Sequence, residues 1–160
     1  MKHSMQSRYP ASKAVVLRMF ADRAFHERKL THMGIESFEV LEHSAEDGRF
    51  RIKVARDVPV NLPGLKKASG SSRVVHTEDW DLEAGTAAIS AEPKGMPLEM
   101  RCDARIVDDG DDACVVHYDW EIKASVPVVG RKLEKFVASD MESRAADEVK
   151  AGCRFLDDYR

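Results

Sequence analysis

Long apolar runs are missing from this chain. No stretch approaches the ~18 consecutive apolar residues that a membrane-spanning helix requires, so stable membrane insertion is not expected. The first ten residues carry basic side chains but no apolar run behind them, which does not read as an export signal, and a cytoplasmic protein is expected. Cysteine is sparse: Cys102, Cys114 and Cys153 are odd in number, widely spaced and without a CxxC pair. A zinc knot is therefore not expected, and three reduced core thiols are the plainer reading. A basic stripe is lacking too. The net charge is −3, and Lys and Arg interleave with Asp and Glu almost everywhere, which argues against nucleic acid as a partner. Catalytic signatures are equally scarce. The chain has no HExxH pair, no GxSxG elbow, and neither GxGxxG nor GxxxxGK, so no metal, no nucleotide cofactor and no catalytic residue is assigned.

What the 160 residues do contain is patterned apolar content: 43% hydrophobic residues against 33% charged, enough for one domain with a sizeable core over residues 1–160. His3 to Tyr9 is a short strand candidate closed by Pro10. Ser12 and Asp22 are N-caps for two short helices, the first carrying Val15, Val16, Met19 and Phe20, the second Phe25, Leu30 and Met33 and ending at Gly34. From Ile35 to about Ala124 the period drops to two. Phe50, Ile52 and Val54 alternate with arginine and lysine, and Leu98 to Ile106 and Cys114 to Ile122 do the same, as in antiparallel strands with one buried face. Glycine-bearing turns at Glu46–Gly48, Gly85 and Asp108–Asp112 separate them, and the stretch Pro59–Gly70, with two prolines and two glycines, reads as a loop. Six strands here and one before give seven.

The last segment returns to helical spacing. From Pro127 onward Val129, Leu133, Phe136, Val137, Met141, Ala145, Val149, Cys153 and Leu156 keep one apolar stripe over nearly thirty residues, a helix ~45 Å long at 1.5 Å per residue. Arg131, Lys135, Glu142, Arg144 and Asp147 fall on its other face. Gly130 and Gly152 interrupt it where close approach to the sheet is expected. The chain is thus α+β, with a long C-terminal helix lying across a curved seven-stranded antiparallel sheet.

One strand has a mixed face: Val74, His76, Glu78, Trp80 and Leu82 share a side, and the more polar odd-numbered side favours that side facing inward. Inward-facing His76 and Glu78 would be polar groups in an apolar cavity, fit to orient a ligand or to act as an acid/base pair. The plainer alternative is an edge or bulged strand that leaves both in water. Trp80, Met100, Cys102, Tyr118, Trp120 and Phe136 complete the candidate ligand-contacting set, each of which also reads as simple core filling. His26 and His32, six residues apart, read as positions on a surface helix, and His43 and His117 as solvated.

Tyr9-Pro10-Ala11, Asn61-Leu62-Pro63-Gly64, Trp80, Val126-Pro127-Val128-Val129-Gly130 and Lys132-Leu133-Glu134, in this order of elements, resemble the helix-grip fold of the START-like (Bet v 1-like, SRPBCC) superfamily, and within it the bacterial DUF2505 family. The resemblance covers essentially the whole chain. It implies a cavity between sheet and last helix of the kind that holds sterols, lipids, polyketides or plant hormones in that superfamily. Three functions are open: a carrier of a small hydrophobic molecule, a polyketide cyclase or dehydratase-like enzyme using His76 and Glu78, and an interaction module with a filled core.

Overall fold

The computed structural model describes residues 1–61 and 69–160. Its elements follow the expected order: β1 (Lys2–Tyr9), α1 (Lys13–Phe20), α2 (Arg23–His32), β2 (Phe38–Glu46), β3 (Arg49–Asn61), β4 (Ser69–Asp81), β5 (Thr86–Pro93), β6 (Leu98–Asp108), β7 (Cys114–Ala124) and α3 (Gly130–Phe155), closed by a short 3₁₀ turn, Leu156–Tyr159. Both expected caps form. Val15 donates its backbone N–H to Ser12 Oγ at 3.4 Å, and Ala24 donates to Asp22 Oδ1 at 3.0 Å, each answering a helix-end donor that has no partner within the helix. Among the described residues no helix is long and apolar enough to cross a membrane.

The seven strands make one antiparallel, curved sheet in the order β1-β7-β6-β5-β4-β3-β2. Consecutive strands pair through hairpins from β2 to β7, and β1 closes onto β7. Asp47 and Gly48, both at positive φ, make the tight β2–β3 turn, whose backbone twist matches that of the flanking strands. The concave face carries Phe50, Ile52, Trp80, Val116 and Ile122, all essentially inaccessible to solvent.

Two boundaries differ from the sequence expectation. Pro59, expected in a loop, lies in β3 and pairs with Ser71 of β4. The ladder explains its place. Pairing with β2 ends at Arg56, Asp57 donates to Ser37 O at the very edge, and Pro59 points its missing N–H the same way, where no strand among the described residues remains to pair with. The rest of the expected loop, 62–68, lies outside the described residues. The long helix starts at Gly130 rather than Pro127, because Val128 takes φ +71°, a left-handed conformation that a helix cannot include. Its 26 residues measure ~39 Å.

Val128 is fully exposed, so its β-branched side chain gains no packing for that conformation. Val128→Gly is expected to raise the unfolding free energy by about 1 kcal/mol, read as a higher urea midpoint at unchanged slope. A lower midpoint would mean that the strain is absent.

Contacts of α3 with the sheet are concentrated at its two ends. Leu133, Val137 and Ala138 are buried near the start, Ala151 and Gly152 near the end, and no residue of 139–150 is fully buried. Both glycines mark close approach. A Cβ on Gly130 would come 3.0 Å from the carbonyl oxygen of Ala124, and one on Gly152 would come 3.2 Å from the Tyr9 ring. Between these contacts the middle of the helix stands off the sheet.

Candidate functional site

The space under the middle of α3 is a cavity of about 720 Å³, within the range typical of small-molecule sites. Its floor is the concave sheet, one end is formed by Phe20 and Phe25 of the two short helices, and its roof is the stretch of α3 from Phe136 to Val149. The apolar stripe read in the sequence is therefore divided in two uses. Leu133 and Leu156 pack, Val137 is buried where the roof begins, and Met141, Ala145 and Val149 border open space.

His76, Glu78 and Trp80 stand at alternate positions of β4, so the pleat brings all three to the concave side. His76 Nε2 lies 2.9 Å from Glu78 Oε1, and Trp80 Nε1–H donates to Glu78 Oε2 at 2.8 Å. One carboxylate thus bridges two ring N–H groups. Burial pushes the Glu78 acid upward, but the hydrogen bond from His76, the neighbouring imidazole rings and the Lys29 ammonium outweigh it and hold the group below the ordinary carboxylate range. It is an ionised acceptor inside a mostly apolar lining.

His26 is not a surface residue. It is 6% exposed, its Nε2 donates to Phe20 O at 2.7 Å, and its ring stacks on Phe50 at 5.5 Å between centroids. Burial lowers its pKa, which keeps the ring neutral and fixes Nε2 as the donor. The signal was available: His26 precedes the buried Leu30 by one helical turn and so shares its face. His32 is exposed, as expected. Tyr9 and Tyr118 also border the cavity, and burial raises both phenols well above their usual range, leaving them as protonated donors.

Of the residues singled out in the sequence, His76, Glu78 and Trp80 border the cavity, as do Met100, Tyr118, Trp120 and Phe136. Cys102 does not reach it. It lies on the concave face between its cross-strand neighbours Ile89 and Trp120, both of which line the cavity and are larger, and a short thiol beneath them is covered. Burial pushes that thiol up to about 12, so it is neither a nucleophile nor an exposed polar contact. Arg144, expected on the wet face of α3, borders the cavity and pairs with Asp140 at 2.9 Å. Arg56 was passed over, although it continues the inward series Phe50, Ile52, Val54 at the same period. Among the described residues no cluster of three or more His, Cys, Asp and Glu is placed to hold a metal ion.

A concave seven-stranded sheet gripping a long C-terminal helix over a cavity is the fold of the START superfamily, and solved structures agree. A START superfamily protein from Mycobacterium smegmatis superposes with a TM-score of 0.64 at 16% identity, covering 99% of both chains. The Zhui aromatase/cyclase from Streptomyces sp. R1128 gives 0.65 at 13% identity, over 98% of this chain and 93% of that one. Norcoclaurine synthase from Thalictrum flavum, in complex with dopamine and hydroxybenzaldehyde, gives 0.64 at 12% identity, over 100% and 88%. Within this class the chain belongs to the family described as a protein of unknown function, DUF2505, whose model matches residues 4–156. No curated protein matches it in sequence.

Proposed function

We propose that this protein, acting as one START-like domain in the cytoplasm, binds a single small and largely apolar molecule, a lipid, polyketide or aromatic compound, under the middle of α3. The observation that carries this reading is the cavity itself: about 720 Å³, walled mainly by aromatic, aliphatic and methionine side chains, with a few convergent polar groups. Moving roughly 200 Å² of apolar ligand surface out of water is worth about 5 kcal/mol before the costs of association. Trp120, Met100 and Phe136 supply apolar contact. His76, Glu78 and Tyr118 orient whatever polar group the ligand carries. An interaction module with a filled core fits a cavity of this size poorly.

The test is mass spectrometry of an organic extract from freshly purified protein, beside a His76→Ala, Trp120→Ala double variant. A stoichiometric apolar compound, depleted in the variant, is the expected result. A clean extract from folded protein that also binds no added neutral apolar dye would sink the carrier reading.

A second reading, an acid/base enzyme of the cyclase or dehydratase kind, is favoured by the 2.9 Å contact of His76 with Glu78. In it the carboxylate orients the imidazole, which exchanges a proton with the substrate. That reading requires turnover of a polyketide-like substrate with a pH profile that His76→Ala abolishes.

A further inference from the structure

Arg56 is a charge without a described counterpart. It follows Val54 on the inward face of β3, borders the cavity, and its Nε is buried with no hydrogen-bond partner among the described residues. The carboxylates nearest in sequence and register are spoken for on the opposite face: Arg73 pairs with Asp57 at 3.3 Å and with Glu39 at 3.4 Å. None of the carboxylates that border the cavity is paired with Arg56. Glu78 is bridged by His76 and Trp80, Asp140 is paired with Arg144, and Glu148, on α3, makes no ion pair with the guanidinium. The chain between the described ends of β3 and β4, residues 62–68, contains two lysines and no acid. A buried guanidinium N–H with no acceptor is costly to leave so, and it marks a place where an acceptor belongs.

The register gives the cavity a direction. Arg56 pairs with Val74, Val54 with His76, Ile52 with Glu78, and Phe50 with Trp80. Six residues of β3 therefore separate the Arg56 end from the Trp80 end, ~20 Å along the strand. Tyr118 lies at the Trp80 level, through Ala87 and Ala104, so the acidic and phenolic groups gather opposite the arginine.

Resting on the carrier reading, we infer that the ligand is an amphipathic carboxylic acid, bound with its carboxylate on Arg56 and its apolar body running past His76 toward Trp80 and Tyr118. A planar guanidinium matches a carboxylate through two parallel N–H···O bonds. One negative charge is what the lining accommodates, since the ionised Glu78 repels a second placed deeper.

The experiment uses 1-aminoanthracene, a neutral fluorescent dye, displaced by dodecanoate or by dodecanol, two probes with the same tail and different heads. With the wild-type chain dodecanoate should displace the dye at about tenfold lower concentration than dodecanol, or better. Arg56→Gln should bring the two within about twofold of each other by weakening dodecanoate alone, and Arg56→Lys, which keeps the charge but not the planar fork, should keep only part of the preference. Arg56→Gln removes a half-buried guanidinium that has no ion pair among the described residues, so its thermal midpoint should not fall, which separates lost recognition from lost folding. Equal displacement by the two probes in the wild type, a preference untouched by Arg56→Gln, or dye binding that neither probe disturbs would each overturn the acid assignment while leaving the cavity a binding site. Failure of the folded protein to bind the dye at all would overturn both readings.

Discussion

Trp80→Ala is expected to lower the unfolding free energy by about 3–5 kcal/mol, the largest single effect anticipated in this molecule. The indole is 1% exposed and meets Phe20 at 5.4 Å between ring centroids. It packs Phe20 of α1 against the sheet, and its N–H is one of the two donors to the Glu78 carboxylate. Alanine would open the floor of a cavity that is already there, so the surrounding chain has little to collapse onto. Guanidinium-induced unfolding followed by circular dichroism reads the loss directly. A change below about 1 kcal/mol would show that the ring does not fill this position.

Glu78→Ala is expected to cost about 1–3 kcal/mol, and the interest lies in where that cost arises. Removing the carboxylate strands the Trp80 N–H, which is buried, more than the His76 N–H, which borders the cavity. A double-mutant cycle isolates the first of these. In a Trp80→Phe background, which keeps an aromatic ring and deletes the N–H, Glu78→Ala should cost at least about 1 kcal/mol less than in the wild type. Equal costs in the two backgrounds would mean that the indole–carboxylate bond contributes nothing to stability.

The architecture was legible because its signals are periodic. Alternation in Phe50–Val54, Leu98–Ile106 and Cys114–Ile122 announced strands and their faces, Ser12 and Asp22 announced helix starts, and the three- and four-residue steps after Val129 announced the long helix. Position on a face carries no record of depth, however. Cys102 and Trp120 look alike in the pattern and sit side by side in the sheet, yet only the larger side chain reaches the cavity. The same limit applies to α3, where Leu133 and Met141 occupy one stripe but only Leu133 is fully buried. His26 and Arg56 were missed for a different reason. Each is a polar residue on an apolar face, and the pattern marks such residues as exceptions unless the whole face is followed through them.

The two-point attachment of α3 separates what this fold must conserve from what it can vary. The glycines at 130 and 152 and the apolar residues beside them hold the helix closest to the sheet, while none of the dozen residues between is fully buried and several border the cavity. Substitutions in that middle span can reshape the chamber without loosening its frame. A lineage carrying this frame is thus free to change what it recognises in small steps, with no unstable intermediate between one specificity and the next.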